Sequence, residues 1–98
     1  MTEERINERL EYLIPSDLKG GKYLRLAVKL YQKDKRKMND IYKKIAEQMK
    51  KSEGTVKSEI DRTIGIAYDR DPEKFYKFFG KEYVKCPTIK SILERLIN

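Results

Sequence analysis

Apolar residues recur along this chain at spacings of three and four, and nowhere in strict two-residue alternation. That period sets side chains on one stripe of an α-helix and predicts an all-helical protein. Six segments carry it. The first runs from about Thr2 to Leu13, with Ile6, Leu10, Leu13 and Ile14 as its stripe. Thr2 caps it, and Glu3 and Glu4 suit the positive end of the dipole. Pro15 ends it, because the residue before a proline avoids the helical region. After the turn 16–21, a second helix spans about Lys22 to Lys33, with Tyr23, Leu24, Ala27, Val28, Leu30 and Tyr31 inward. Residues 33–37 form a polar loop.

The third helix runs from Met38 to Lys50, capped by Asn39 or Asp40, with Ile41, Tyr42, Ile45, Ala46 and Met49 inward. Ser52 caps the fourth, from about Glu53 to Asp69, whose core side is Val56, Ile60, Thr63, Ile64, Ala67 and Tyr68. Asp71 caps the fifth, Pro72 sits in its first turn, Phe75, Phe78 and Phe79 anchor it, and Gly80 stops it. The sixth spans Pro87 to Leu96, with Ile89, Ile92, Leu93 and Leu96 as its stripe. The pair Tyr83-Val84 is too short to support a sheet. The expected fold is one compact six-helix domain over residues 1–98.

Charge changes the picture from fold to partner. The 98 residues hold 23 Lys and Arg against 16 Asp and Glu, a net +7. An excess of that size on a small domain favours polyanions through phosphate neutralisation. The chain has no His and a single cysteine, Cys86. That excludes an internal disulfide, a His-containing zinc site and imidazole-based acid–base chemistry. Cys86 reads as a small buried or half-buried residue. There is no glycine-rich phosphate loop and no paired carboxylate in a cleft; Asp69 and Asp71 flank Arg70 as capping and ion-pairing groups. No catalytic residue, metal, cofactor or small-molecule substrate is expected. The polar N-terminus is not a signal peptide and no apolar run approaches the roughly 20 residues that span a bilayer, so a cytoplasmic location and no membrane partner are expected.

The stretch Tyr42–Tyr68 reads as helix, tight turn, capped helix. Ala46 is the small residue that lets the second helix cross close to the first, and Ile45, Met49, Val56 and Ile60 fix the crossing. The third and fourth helices therefore form a helix-turn-helix, and the outer side of the fourth can enter a major groove. At helical spacing that side holds Thr55, Lys57, Ser58, Asp61 and Arg62, with Gly65 among them. These five polar residues are the candidate base contacts; Asp61 can accept from cytosine or pair with a neighbouring cation. Lys43, Lys44, Lys50, Lys51 and Ser52 surround the turn as candidate phosphate contacts, which orient a protein on DNA without reading sequence. The tyrosines at 12, 23, 31, 42, 68, 76 and 83 read as half-buried rings with hydroxyls at the surface rather than base-stacking platforms.

Two resemblances bear on this. Ile45–Ser58, I-A-E-Q-M-K-K-S-E-G-T-V-K-S, resembles the helix-turn-helix of bacterial sigma factor region four and of response-regulator effector domains. Nearly the whole chain resembles the C-terminal DNA-binding effector domain of the sporulation master response regulator of endospore-forming bacteria. The residues that carry this likeness are Ile14-Pro15, Leu18-Lys19-Gly20, Tyr23-Leu24-Arg25, Ala27, Ile41-Tyr42, Ile45-Ala46, Val56, Ile64–Tyr68, Phe79-Gly80 and Lys85–Thr88. The resemblance implies six helices, a helix-turn-helix from the third and fourth, and copies that bind duplex DNA on tandem sites or as a homodimer. It places the family's base contacts on Thr55, Lys57 and Ser58, where the family has Arg, Glu and Arg; its following Arg–His pair becomes Asp61-Arg62. The family's target sequence therefore does not carry over. Lys85 and Thr88, in the last matching segment, are counted as further phosphate contacts. The family's proteins begin with a receiver domain; Met1 followed at once by a capped helix favours a free-standing regulator over a fragment. A second reading is a protein-interaction module that keeps the fold and has lost base reading, motivated by Glu53, Glu59 and Asp61.

Overall fold

The computed structural model describes residues 3–34, 37–82 and 84–97, with the side chains of Glu3 and Asp34 excepted. The expected cap at Thr2, the loop residues Lys35 and Arg36, and Tyr83 lie outside the described residues. The protein is all-α: α1 (Glu3–Leu13), α2 (Gly21–Asp34), α3 (Met38–Met49), α4 (Glu53–Arg70), α5 (Pro72–Phe79) and α6 (Ile89–Ile97). No helix among the described residues is long and apolar enough to cross a membrane.

Each helix buries the stripe its spacing defines, and the stripes meet in one core. Ile6, Leu10 and Leu13 of α1 join Leu24, Ala27 and Val28 of α2, Ile41 and Ile45 of α3, Val56, Ile60 and Ile64 of α4, Phe75 of α5, and Ile92, Leu93 and Leu96 of α6. Full burial of one such side chain contributes about 1.5–3 kcal/mol. Leu30 and Met49 are half-buried against this core rather than inside it. Phe79 is likewise half-buried, with its ring edge-on to Phe78 at 5.0 Å.

Local termini depart from expectation in informative ways. Lys37, not Asn39 or Asp40, occupies the N-cap position of α3, without a side-chain capping bond. Asp40 lies in the first turn, where its charge still suits the dipole. Asp71 stands at the N-cap position of α5 but makes no side-chain cap bond. Helix α6 starts at Ile89 rather than Pro87, because Thr88 caps it: its Oγ1 accepts from the Ser91 amide at 3.2 Å. Gly80 ends α5 at φ 67°, a left-handed conformation that glycine adopts without cost. Cys86 is exposed, against the expectation of a buried or half-buried residue, in the segment ahead of α6. Tyr12 is also more open than expected, at 50%. The Lys74 ammonium sits 5.2 Å from the centre of its ring.

One bond sets the seat of α4. The Gly20 amide, just ahead of α2, donates to Thr63 Oγ1 at 3.0 Å in the buried interior. Thr63 is the one buried polar residue among those described, at 3% exposure. A methyl group on Gly20 would collide with that same Oγ1 and come within 2.7 Å of the Glu59 carbonyl oxygen. Glycine at 20 is what lets α2 start directly against α4.

Candidate nucleic-acid interface

The α3–α4 turn is three residues long and closed by backbone geometry on one side and a side-chain cap on the other. Lys50 is left-handed at φ 55°, ψ 47°, and both its amide and that of Lys51 return to the Ala46 carbonyl, the latter at 3.0 Å. This is the 6→1 type of closure common at helix ends. Ser52 then caps α4, accepting from the Thr55 amide at 3.1 Å. Its own hydroxyl donates to Thr55 Oγ1 at 2.8 Å. A Ser or Thr cap of this kind stabilises a helix by about 1 kcal/mol. The two hydroxyls thereby hold the first turn of α4 in a fixed orientation at the surface.

Val56, Ile60, Thr63, Ile64 and Ala67 turn α4 into the core. The opposite side is open: Thr55, Lys57, Ser58, Asp61 and Arg62 are all exposed. So are Lys43 and Lys44 on α3, and Lys50, Lys51 and Ser52 in the turn. The polar side of α4 is therefore not covered by the rest of the described molecule. Tyr68, read from spacing as core-facing, is half-buried, and its hydroxyl donates to the Val84 carbonyl.

That last bond brings a distant segment to α4. Asp61 and Asp69 both bear on the Cys86 thiol, whose pKa is raised by partial burial first and by those carboxylates second. Asp61 also bears on Tyr42 of α3, whose phenol is raised chiefly by burial. The Tyr68 bond holds Val84 beside α4, and Lys85, the next residue, is exposed. Thr88 is exposed too, with its Oγ1 engaged in capping α6 and 3.1 Å from Ser91 Oγ. At 100° per residue, Glu59 lies nearer Thr55 and Arg62 than Lys57 and Asp61. Gly20 packs against Glu59 and Thr63, so the start of α2 borders that other flank.

Sequence spacing placed Gly65 on the outer side but missed the Asp17–Arg70 pair, Gly54 and Ile66. Arg70 at the end of α4 pairs with Asp17 in the turn before α2, 3.2 Å apart and exposed on both sides. Such a pair stabilises by at most about 1 kcal/mol; it ties the far end of α4 to the same turn that seats its middle. Gly54 and Gly65 have open space where a side chain would stand. Ile66 is 36% exposed, an apolar residue on the Thr55–Arg62 side of the helix. A helical wheel locates the glycines and Ile66, whereas the Asp17–Arg70 pair links residues 53 positions apart and has no local signature.

The family model described as "Sporulation initiation factor Spo0A C terminal" matches residues 6–97. No curated protein and no solved structure matches the chain.

Proposed function

The chain belongs to the sporulation initiation factor Spo0A C-terminal family, whose members are DNA-binding domains of transcription factors rather than catalysts, and from that premise we infer that it regulates transcription by seating α4 in the major groove of duplex DNA. The observation that carries this reading is the uncovered polar side of α4, presented beyond a turn that is closed at both ends. A major groove about 12 Å wide admits one helix. Lys57 and Arg62 are the strongest base readers of the set, because both can donate to guanine. Thr55 and Ser58 add adaptable hydroxyls, and Asp61 accepts from cytosine. Lys43, Lys44, Lys50, Lys51, Ser52, Lys85 and Thr88 supply backbone contacts around it. Two copies side by side would read tandem sites or a palindrome, and the cytoplasm is where such a regulator meets its operator.

The test is a pair of variants on the preferred duplex. Lys57→Ala and Arg62→Ala should each cost about 1–3 kcal/mol and relax preference at one base position. Lys50→Ala or Lys51→Ala should weaken every duplex alike. Unchanged affinity in the Lys57→Ala, Arg62→Ala double variant would remove this face from the reading. The acids Glu53 and Asp61, both exposed on α4, favour a second reading, a docking face for a basic protein. Absence of any DNA shift at micromolar protein and low salt would select it.

A further inference from the structure

Residues 38–70, which build the turn and both its helices, carry seven Lys and Arg against six Asp and Glu. One of those cations, Arg70, is already paired with Asp17. DNA affinity comes largely from cations that displace counterions from phosphate, and this segment brings almost no net positive charge. The charge lies next to it. Residues 19–37 hold eight Lys and Arg against one acid, Asp34, a net +7. The rest of the chain holds 15 of each sign, so this short stretch accounts for the whole excess.

The fold organises that charge. At 100° per residue, Lys22, Arg25, Lys29 and Lys33 fall within about 80° of one another on α2. The buried residues Tyr23, Leu24, Ala27, Val28 and Tyr31 occupy the opposite side. Lys22, Lys29 and Lys33 are exposed and Arg25 is half-buried. Lys19, just ahead of the helix, is exposed as well. Among the described residues no ion pair engages these lysines; Lys22 lies 5.4 Å from the centre of the Tyr23 ring.

We propose that this stripe of α2 is a second DNA surface, gripping the phosphate backbone beside the groove that receives α4. The inference rests on the groove-binding reading above and extends the DNA interface beyond α3, α4, their turn and the Lys85–Thr88 segment. Both ends of the stripe are located. Lys19 precedes Gly20, whose amide is bonded to Thr63 on α4. Lys33 lies in the last turn of α2, and the exposed Lys37 stands at the N-cap position of α3. In three-helix variants of the helix-turn-helix, the loop joining the first two helices meets the DNA backbone. From Lys22 to Lys33 the helix advances about 16 Å, enough to follow several phosphates of one strand. Strong non-specific grip from α2 also fits a reading helix whose own charges nearly cancel.

The experiment compares wild type, the triple variant K22Q/K29Q/K33Q and the charge-keeping K22R/K29R/K33R. Each is titrated against its preferred duplex and against random-sequence duplex over a range of salt. The slope of log K against log salt should fall by about 0.9 for each phosphate that the protein no longer neutralises, so by nearly 3 in the glutamine variant. The drop in affinity should be equal on both duplexes, the arginine variant should keep the wild-type slope, and all three proteins should melt together. An unchanged slope in the glutamine variant, while Lys57→Ala, Arg62→Ala loses its site preference, overturns the stripe and leaves the groove reading standing. A drop confined to the preferred duplex also overturns it, because backbone binding is blind to sequence. Failure of wild type to bind any duplex at low salt removes the groove reading and this inference together.

Discussion

Gly20→Ala isolates the close approach that seats α4 against α2. The φ of Gly20 is not in the left-handed region, so alanine fits the backbone there. The unfolded chain even loses freedom with alanine, which favours folding by about 0.4–1 kcal/mol. Against that stands the interior of the protein. The new methyl overlaps Thr63 Oγ1 and lies 2.7 Å from the Glu59 carbonyl oxygen, and one of these is rigid helix backbone. Overpacking of this kind costs about 1–3 kcal/mol. Pushing α2 away also breaks the buried Gly20–Thr63 bond and leaves a donor unsatisfied, at about 1–3 kcal/mol. The net expectation is a loss of about 2–5 kcal/mol out of the 5–15 typical of a small domain. For a domain of this length that lowers Tm by roughly 10–30 °C, read by circular dichroism or by urea titration. Thr63→Ala alone should lose about 1–3 kcal/mol for the orphaned amide. The double variant should lose less than the sum, because the Oγ1 collision is gone and the same amide is orphaned only once. A Gly20→Ala protein that melts at or above wild type would refute the close approach of α2 to α4.

Lys50→Gly should raise stability by about 0.5–1 kcal/mol, since a left-handed lysine is strained at φ 55°. The same variant should bind all duplexes more weakly, so that stability and affinity move in opposite directions. For Tyr42, burial and then Asp61 raise the phenol above its ordinary value of about 10. The unfolded chain ionises first as pH climbs, so the stability held by neutral Tyr42 is complete below pH about 10 and is lost as pH rises through the higher folded value. Tyr42→Phe should flatten that alkaline limb in pH-dependent urea titrations; an identical limb would place the loss elsewhere.

The six helices and their order are legible because each buries a stripe of period 3.6, and local spacing alone defines a stripe. The stop at Pro15, the Ser52 cap and Gly80 are equally local, and the structure keeps each of them. Side-chain caps are less legible: Asn39, Asp40 and Asp71 have the right chemistry, but whether an oxygen reaches an amide depends on backbone angles that composition does not set. Helix α6 begins at Ile89, two residues after Pro87, because the Thr88 hydroxyl accepts from the Ser91 amide and caps it there. The open side of α4 follows from the same wheel that defines its buried side. What borders that side does not. The Gly20–Thr63 bond joins residues 43 apart, and the Tyr68–Val84 bond joins residues 16 apart. Both are products of packing between elements, as is the surface course of the segment that exposes Cys86.

The central claim is that α4 reads bases with its outer side. The most direct measurement is selection from a random duplex library, run in parallel with wild type and with Lys57→Ala. Wild type should enrich a short motif, and the variant should enrich the same motif with preference relaxed at one position. Enrichment of no motif by the wild-type protein, or an identical motif from both, would contradict the account.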